Sequence, residues 1–121
     1  LGKTKVDGAY ADDFLLDDSA LAADTSEGIV IITGCSHSGI CNIVEYAKKV
    51  LKRDDVRMVI GGFHLQPEDP NDELLSRTRD YLARANIGML YPCHCTNLLS
   101  KLEIAKVARV GEAGSGTRIE F

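Results

Sequence analysis

Apolar residues along this chain keep two rhythms in turn. Ile29-Val30-Ile31-Ile32, residues 56–60 and residues 87–91 are short, nearly unbroken apolar runs, the pattern of strands buried on both faces. Between them the spacing becomes helical. Ile40, Ile43, Val44, Ala47, Val50 and Leu51 predict a helix over 40–53, with Ser36 or Ser38 as its cap and four basic residues closing it favourably for the macrodipole. Leu74, Leu75, Thr78, Tyr81 and Leu82 predict a second helix, capped by Asp69 or Asn71. Leu98, Leu102, Ala105 and Val107 or Val110 predict a third over 98–108, capped by Asn97. Upstream, residues 19–24 alternate weakly like a strand, and Thr25-Ser26-Glu27-Gly28 reads as a hairpin turn. Residues 1–17 carry little periodicity. Pro92 is expected to end the third apolar strand, and 117–121 to form a last short one. The order is ββ then αβαβαβ, an α/β arrangement with helices laid on a sheet.

The length, 121 residues, suits a single domain over 1–121. Fourteen basic against 18 acidic residues leave a net charge of −4 with no basic cluster, which argues against nucleic acid or an anionic membrane as the main partner. No apolar run approaches the roughly 20 residues that a membrane span needs. Cys35, Cys41, Cys93 and Cys95 crowd around two histidines, and no secretory leader is visible, so reduced thiols in a cytoplasmic protein are the expectation. A Cys-x-Cys pair is by itself a weak zinc signal. Asp12-Asp13 and Asp17-Asp18 read as a solvated acidic loop.

Chemistry collects just past the predicted strands. Gly34-Cys35-Ser36-His37-Ser38-Gly39 follows the first apolar run, Gly61-Gly62-Phe63-His64 the second, and Pro92-Cys93-His94-Cys95 the third. All three histidines therefore stand at the carboxyl edge of the sheet, where α/β folds bind ligands. Imidazole is the commonest metal-ligand side chain, and a catalytic metal needs about three protein ligands and an open position. Neutral imidazoles suit several divalent transition metals, zinc first, with manganese or iron as alternatives. The Gly/Ser loop before the first helix could also hold a substrate phosphate through Ser36, Ser38 and Gly39, although a plain tight turn explains it as well. A thiol next to His94 could form an activated pair, but neighbours on an extended chain point to opposite faces.

Three stretches together resemble one family. Thr33-Gly34-Cys35-Ser36-His37-Ser38-Gly39-Ile40-Cys41-Asn42, then Val59-Ile60-Gly61-Gly62-Phe63-His64-Leu65, then Pro92-Cys93-His94-Cys95-Thr96 are similar to the metal-dependent hydrolases of metallo-β-lactamase fold. The nearest branch is that of the 7,8-dihydropterin-6-methyl-4-(β-D-ribofuranosyl)aminobenzene-5′-phosphate synthases. Asp17-Asp18-Ser19-Ala20-Leu21 and residues 111–121 extend the likeness over nearly the whole chain. The resemblance implies a four-layered αββα sandwich of two similar halves, of which this chain is the C-terminal one. The first-half motif His-x-His-x-Asp-His is absent from it. His37 matches a metal-ligating histidine of the family, and His94 the last one, a ligand of the second metal. His64 stands where most of the superfamily has a bridging aspartate, so it is either a ligand or a substrate contact. The implied parent is a hydrolase or transferase acting on a small molecule, phosphorylated or not, with the isolated half nearly inactive. The alternative is a non-catalytic module that binds metal or a partner. Under either, the open inner face of a half sandwich predicts homo-oligomers or association with the missing N-terminal half.

Overall fold

Ile31, Val59 and Leu90 stand side by side on three neighbouring strands, each fully shielded from solvent. The computed structural model describes residues 2–120. In chain order its elements are β1 (Lys3–Val6), β2 (Ala9–Asp12), β3 (Ala20–Thr25), β4 (Gly28–Thr33), α1 (Ile40–Leu51), β5 (Val56–Gly62), α2 (Glu73–Arg84), β6 (Met89–Cys93) and α3 (Leu98–Ala105). One sheet has the order β3-β4-β5-β6, with β3 antiparallel to β4 and the other neighbours parallel. Two successive crossovers stepping the same way across a sheet place α1 and α2 on one face, given the fixed right hand of such connections. There Ile40, Val44 and Ala47 of α1, Leu75 and Leu82 of α2 and Ile104 of α3 close over the Ile31–Val59–Leu90 row.

The opposite face carries another apolar row. Leu21, Ile32, Ile60 and Tyr91 pair in register across the four strands, and Leu21 and Ile32 remain 71% and 48% exposed. This is why the apolar run of β4 is unbroken: both faces of the sheet are apolar, although one is open at β3 and β4.

Several expectations are corrected. Residues 3–12 form a hairpin, β1–β2, turning through Asp7-Gly8 with φ of 50° and 87°; Asp-Gly is the residue pair such tight turns favour. Its strands are exposed throughout, so no apolar alternation announced them. Neither serine caps α1. Gly39 holds the N-cap position without a side-chain bond, because Ser36 and Ser38 are engaged elsewhere. The α2 cap is Asp72, which accepts from the Leu75 N–H at 2.9 Å; Leu74 is exposed. Pro92 lies inside β6 rather than after it, paired with Gly61. The Leu90 N–H points away from β5, to the Arg109 carbonyl. Two residues on, Pro92 turns its ring nitrogen to that same sparsely paired edge, where no donor is needed. Val110 makes a single bridge to Leu90 there, and residues 117–120 form no strand; Phe121 lies outside the described residues.

The third helix is the largest departure in packing. Leu98 and Leu102 are exposed, and Ser100, Glu103 and Ile104 face inward. The Asn97 cap, accepting from the Ser100 N–H, sets this phase. The Ser100 hydroxyl then donates to the Leu65 carbonyl, and Glu103 accepts from Arg79 of α2. The Lys106 ammonium bonded to Glu103 holds its carboxyl below the usual range against burial, with Arg79 adding. A carboxylate whose pKa falls on folding contributes stability above its unfolded value of about 4.3, and loses it as pH drops through the folded value. Glu103→Gln should therefore lower the urea midpoint at neutral pH. The gap to the parent should close in acid; a gap independent of pH would refute the assignment.

Candidate metal centre

The loops after β4, β5 and β6 are stapled into one row. The Gly62 N–H donates to the Gly34 carbonyl at 2.8 Å, and the Ser36 hydroxyl donates to the Gly62 carbonyl at 2.6 Å. On the other side the Phe63 N–H donates to Thr96 Oγ1 at 2.9 Å, and the Leu65 N–H to the Cys95 carbonyl at 3.1 Å. These bonds tie the three histidine loops to each other and not only to their own strands.

Ser36, His64 and His94 all take left-handed backbone, with φ of 58°, 51° and 51°. A non-glycine residue there costs on the order of 1–3 kcal/mol and persists only where the surroundings impose it. The staples impose it here, and the result is that each strand end turns sharply: Ser36 is folded inward onto the Gly62 carbonyl, while His64 and His94 are left exposed at the sheet edge.

The histidines fall into two neighbouring sets. The His37 and His64 rings meet edge to face with centroids 4.7 Å apart, both exposed. His94 gathers with Cys35 and Cys95, their ligand atoms all within 4.8 Å of one another. Among the described residues this is the one group of three donors so close together. The Cys95 thiol also reaches the Cys35 carbonyl at 3.6 Å. The hydrogen bond that the Cys35 thiol shares with the Cys95 sulfur keeps the proton on Cys35 and pushes its pKa up, with burial and the charges of Cys95 and Asp18 adding. The sequence reading weighed a thiol beside His94 only as an activated pair and did not count Cys35 and Cys95 among the metal ligands. Their signal was present, since each lies within two positions of a histidine, but the bend at His94 that brings the thiols together was not.

The three residues expected to cradle substrate stand as follows. Ser36 is buried, its hydroxyl spent on Gly62 and on Thr33 Oγ1 at 3.0 Å. Ser38 is exposed, but its N–H and hydroxyl both donate to Asp18, at 2.9 and 2.7 Å. Burial opposes the charge on Asp18, yet these bonds outweigh it and hold the carboxyl below its usual value. Gly39, at φ 92°, supplies the turn into α1. The acidic pairs are likewise divided: Asp12 pairs with Lys3, and Asp13 caps the Leu15 N–H. A groove of about 680 Å³ opens between β3 and α1, from Asp18 and Ser38 past Asn42 to Ile43, Tyr46 and Val50.

No family model matches the chain. A curated relative, an uncharacterized protein of Methanocaldococcus jannaschii, is 39% identical over 101 residues, 84% of this chain and 36% of that protein. The 7,8-dihydropterin-6-methyl-4-(β-D-ribofuranosyl)-aminobenzene-5′-phosphate synthase of the same organism is 36% identical over 80 residues, 66% of this chain and 26% of the synthase. A crystal structure of a metal-dependent hydrolase of the β-lactamase superfamily superposes with a TM-score of 0.88 at 27% identity, over 98% of this chain. The chain belongs to the metallo-β-lactamase superfamily. It spans 46% of that hydrolase and about a third or less of the two curated relatives. Within the superfamily its likeness is to the dihydropterin synthase branch.

The donors present fit the kind of metal the fold implies. Imidazole nitrogens and thiol sulfurs, from five side chains on one sheet edge, are ligands for a borderline-soft transition metal rather than for magnesium or calcium. No helix among the described residues is long and apolar enough to cross a membrane.

Proposed function

We propose that this chain is one half of a metal-dependent hydrolytic centre, with His37, His64 and His94 as metal ligands. The observation that carries the reading is the pair His37–His64, two exposed imidazoles from adjacent parallel strand ends held 4.7 Å apart. A zinc-class ion bound there supplies polarisation of a substrate oxygen and activation of water. The chain's own part is to fix the ligands. The Ser36–Gly62 and Gly62–Gly34 bonds hold the His37 and His64 loops in register, and Thr96 anchors Phe63, the residue before His64. Exposure of both rings leaves room for a substrate, and the groove beginning at Asp18 and Ser38 offers an apolar bed for its body. The four cysteines are free thiols, which suits work in a reducing cytosol.

A second reading is transfer rather than hydrolysis, with a phosphorylated pterin-type substrate. What favours it is the 36% identity to the synthase.

The test supplies, in trans, an N-terminal half carrying His-x-His-x-Asp-His, with zinc or manganese and bis(p-nitrophenyl) phosphate as the probe. Metal-dependent hydrolysis by the complex is expected to fall at least about a hundredfold in His37→Ala and His64→Ala, since losing even a group behind a ligand costs about 10–100-fold. A soluble, metal-loaded complex with no hydrolysis would overturn the hydrolase reading.

A further inference from the structure

The geometry points to a second kind of site at this edge: a thiolate–imidazole zinc site that this chain builds alone, from Cys35 Sγ, Cys95 Sγ and one ring nitrogen of His94. It deepens the reading above by adding sulfur to a centre otherwise described by histidines, and it shares only His94 with it.

Distance is the first argument. A tetrahedral zinc ion with Zn–S of about 2.3 Å and Zn–N of about 2.0 Å sets its ligand atoms roughly 3.5–3.8 Å apart. The three donors already lie within 4.8 Å of one another, so closing on an ion requires them to approach by only about 1 Å. Chemistry is the second. Two thiolates and an imidazole select zinc-class ions over hard cations. Three protein ligands, with His94 exposed to solvent, leave the fourth position open, as in catalytic rather than structural zinc sites.

The third argument is that the backbone is shaped for this cluster. A Cβ on Gly62 would lie 2.6 Å from Cys95 Sγ and 2.9 Å from the Gly34 carbonyl. Only glycine leaves the thiol its seat against the Cys35 loop. The left-handed turn at His94 defeats the extended alternation that would send His94 and Cys95 to opposite sides. The Leu65–Thr96 bridge fixes the loop just beyond. Cys41 and Cys93 lie outside the group, so the chain's four thiols divide two and two.

Cobalt(II) is the probe, titrated into the fully reduced 121-residue chain. A thiolate-to-cobalt charge-transfer band should appear with the visible bands of tetrahedral cobalt, saturating near one equivalent. Cys35→Ser should remove most of the charge-transfer band and weaken binding at least about tenfold, whereas His37→Ala and His64→Ala should leave the band in place. Since a substitution at buried Cys95 could unfold the loop, zinc K-edge absorption of the unsubstituted, zinc-loaded chain provides the check that needs no variant. Two sulfur scatterers are expected. A shell of nitrogen and oxygen only, or cobalt bound without a charge-transfer band, would overturn the thiolate site. Such a result would leave the histidine centre standing. Conversely, failure of hydrolysis in trans says nothing against two sulfurs at the zinc edge, so the two readings can fail separately.

Discussion

Gly61→Ala should remove about 2–5 kcal/mol of stability, enough to leave the chain marginally folded. At φ 144° Gly61 occupies backbone that side-chain-bearing residues rarely enter, and a Cβ there would overlap the carbonyl oxygen of Thr33. The neighbouring atoms are no softer: Thr33 Cγ2 would lie at 2.6 Å and the Thr33 carbonyl carbon at 2.9 Å. Thr33 ends β4, a central strand bonded on both sides, and cannot retreat without breaking the sheet. Overpacking alone costs about 1–3 kcal/mol and left-handed strain about 1–2 more. Against a total of roughly 0.05–0.15 kcal/mol per residue this is a large fraction. Urea denaturation reads it directly. Gly114→Ala is the control, because nothing lies within 4 Å of a Cβ there; its unfolding free energy should match the parent within about 0.5 kcal/mol. An unshifted midpoint for Gly61→Ala would mean that the β4–β5 approach is looser than described.

The strands that carry the site were legible because both sheet faces are apolar, which left Ile29-Val30-Ile31-Ile32 unbroken. The site's address was legible for a related reason. Each histidine follows such a run, and the end of a run is the end of a strand. The phase of α3 was not legible, since its inward face is made of Ser100, Glu103 and Ile104, and two of those three are polar. Their burial is explained by Leu65 and Arg79, partners about 24–35 residues away in sequence, which no local pattern reports. The cysteines repeat the lesson. The alternation rule treats Cys93-His94-Cys95 as extended chain, but His94 has φ 51°. The meeting of Cys95 with Cys35 is a contact across β4 and β6 that depends on Gly62 having no side chain. The open apolar row through Leu21 and Ile32 was foreseen as a consequence of the half-sandwich resemblance, and it lies on the face away from the three helices.

Phe63→Ala should be the most damaging of the large-to-small core substitutions near the centre, at about 3–5 kcal/mol. Phe63 is the largest of the fully buried side chains and belongs to the cluster beneath the helices. Its neighbours give it a second role. Gly62 before it bonds to Gly34 and Ser36 of the first loop, its own N–H bonds to Thr96 of the third, and His64 after it is held at positive φ. The ring is thus the apolar anchor at the one point where all three histidine loops are joined. Phe63→Leu keeps most of the apolar volume and should cost less than about 1.5 kcal/mol. Hydrogen exchange separates anchoring from bulk stability. If the ring only fills space, protection of the Gly62 and Leu65 amides should fall in proportion to the global loss. If it anchors the junction, those amides should lose protection in Phe63→Leu beyond the global change, because local opening then becomes easier than unfolding. The second pattern is expected, since the left-handed turn at His64 holds strain that local opening would release.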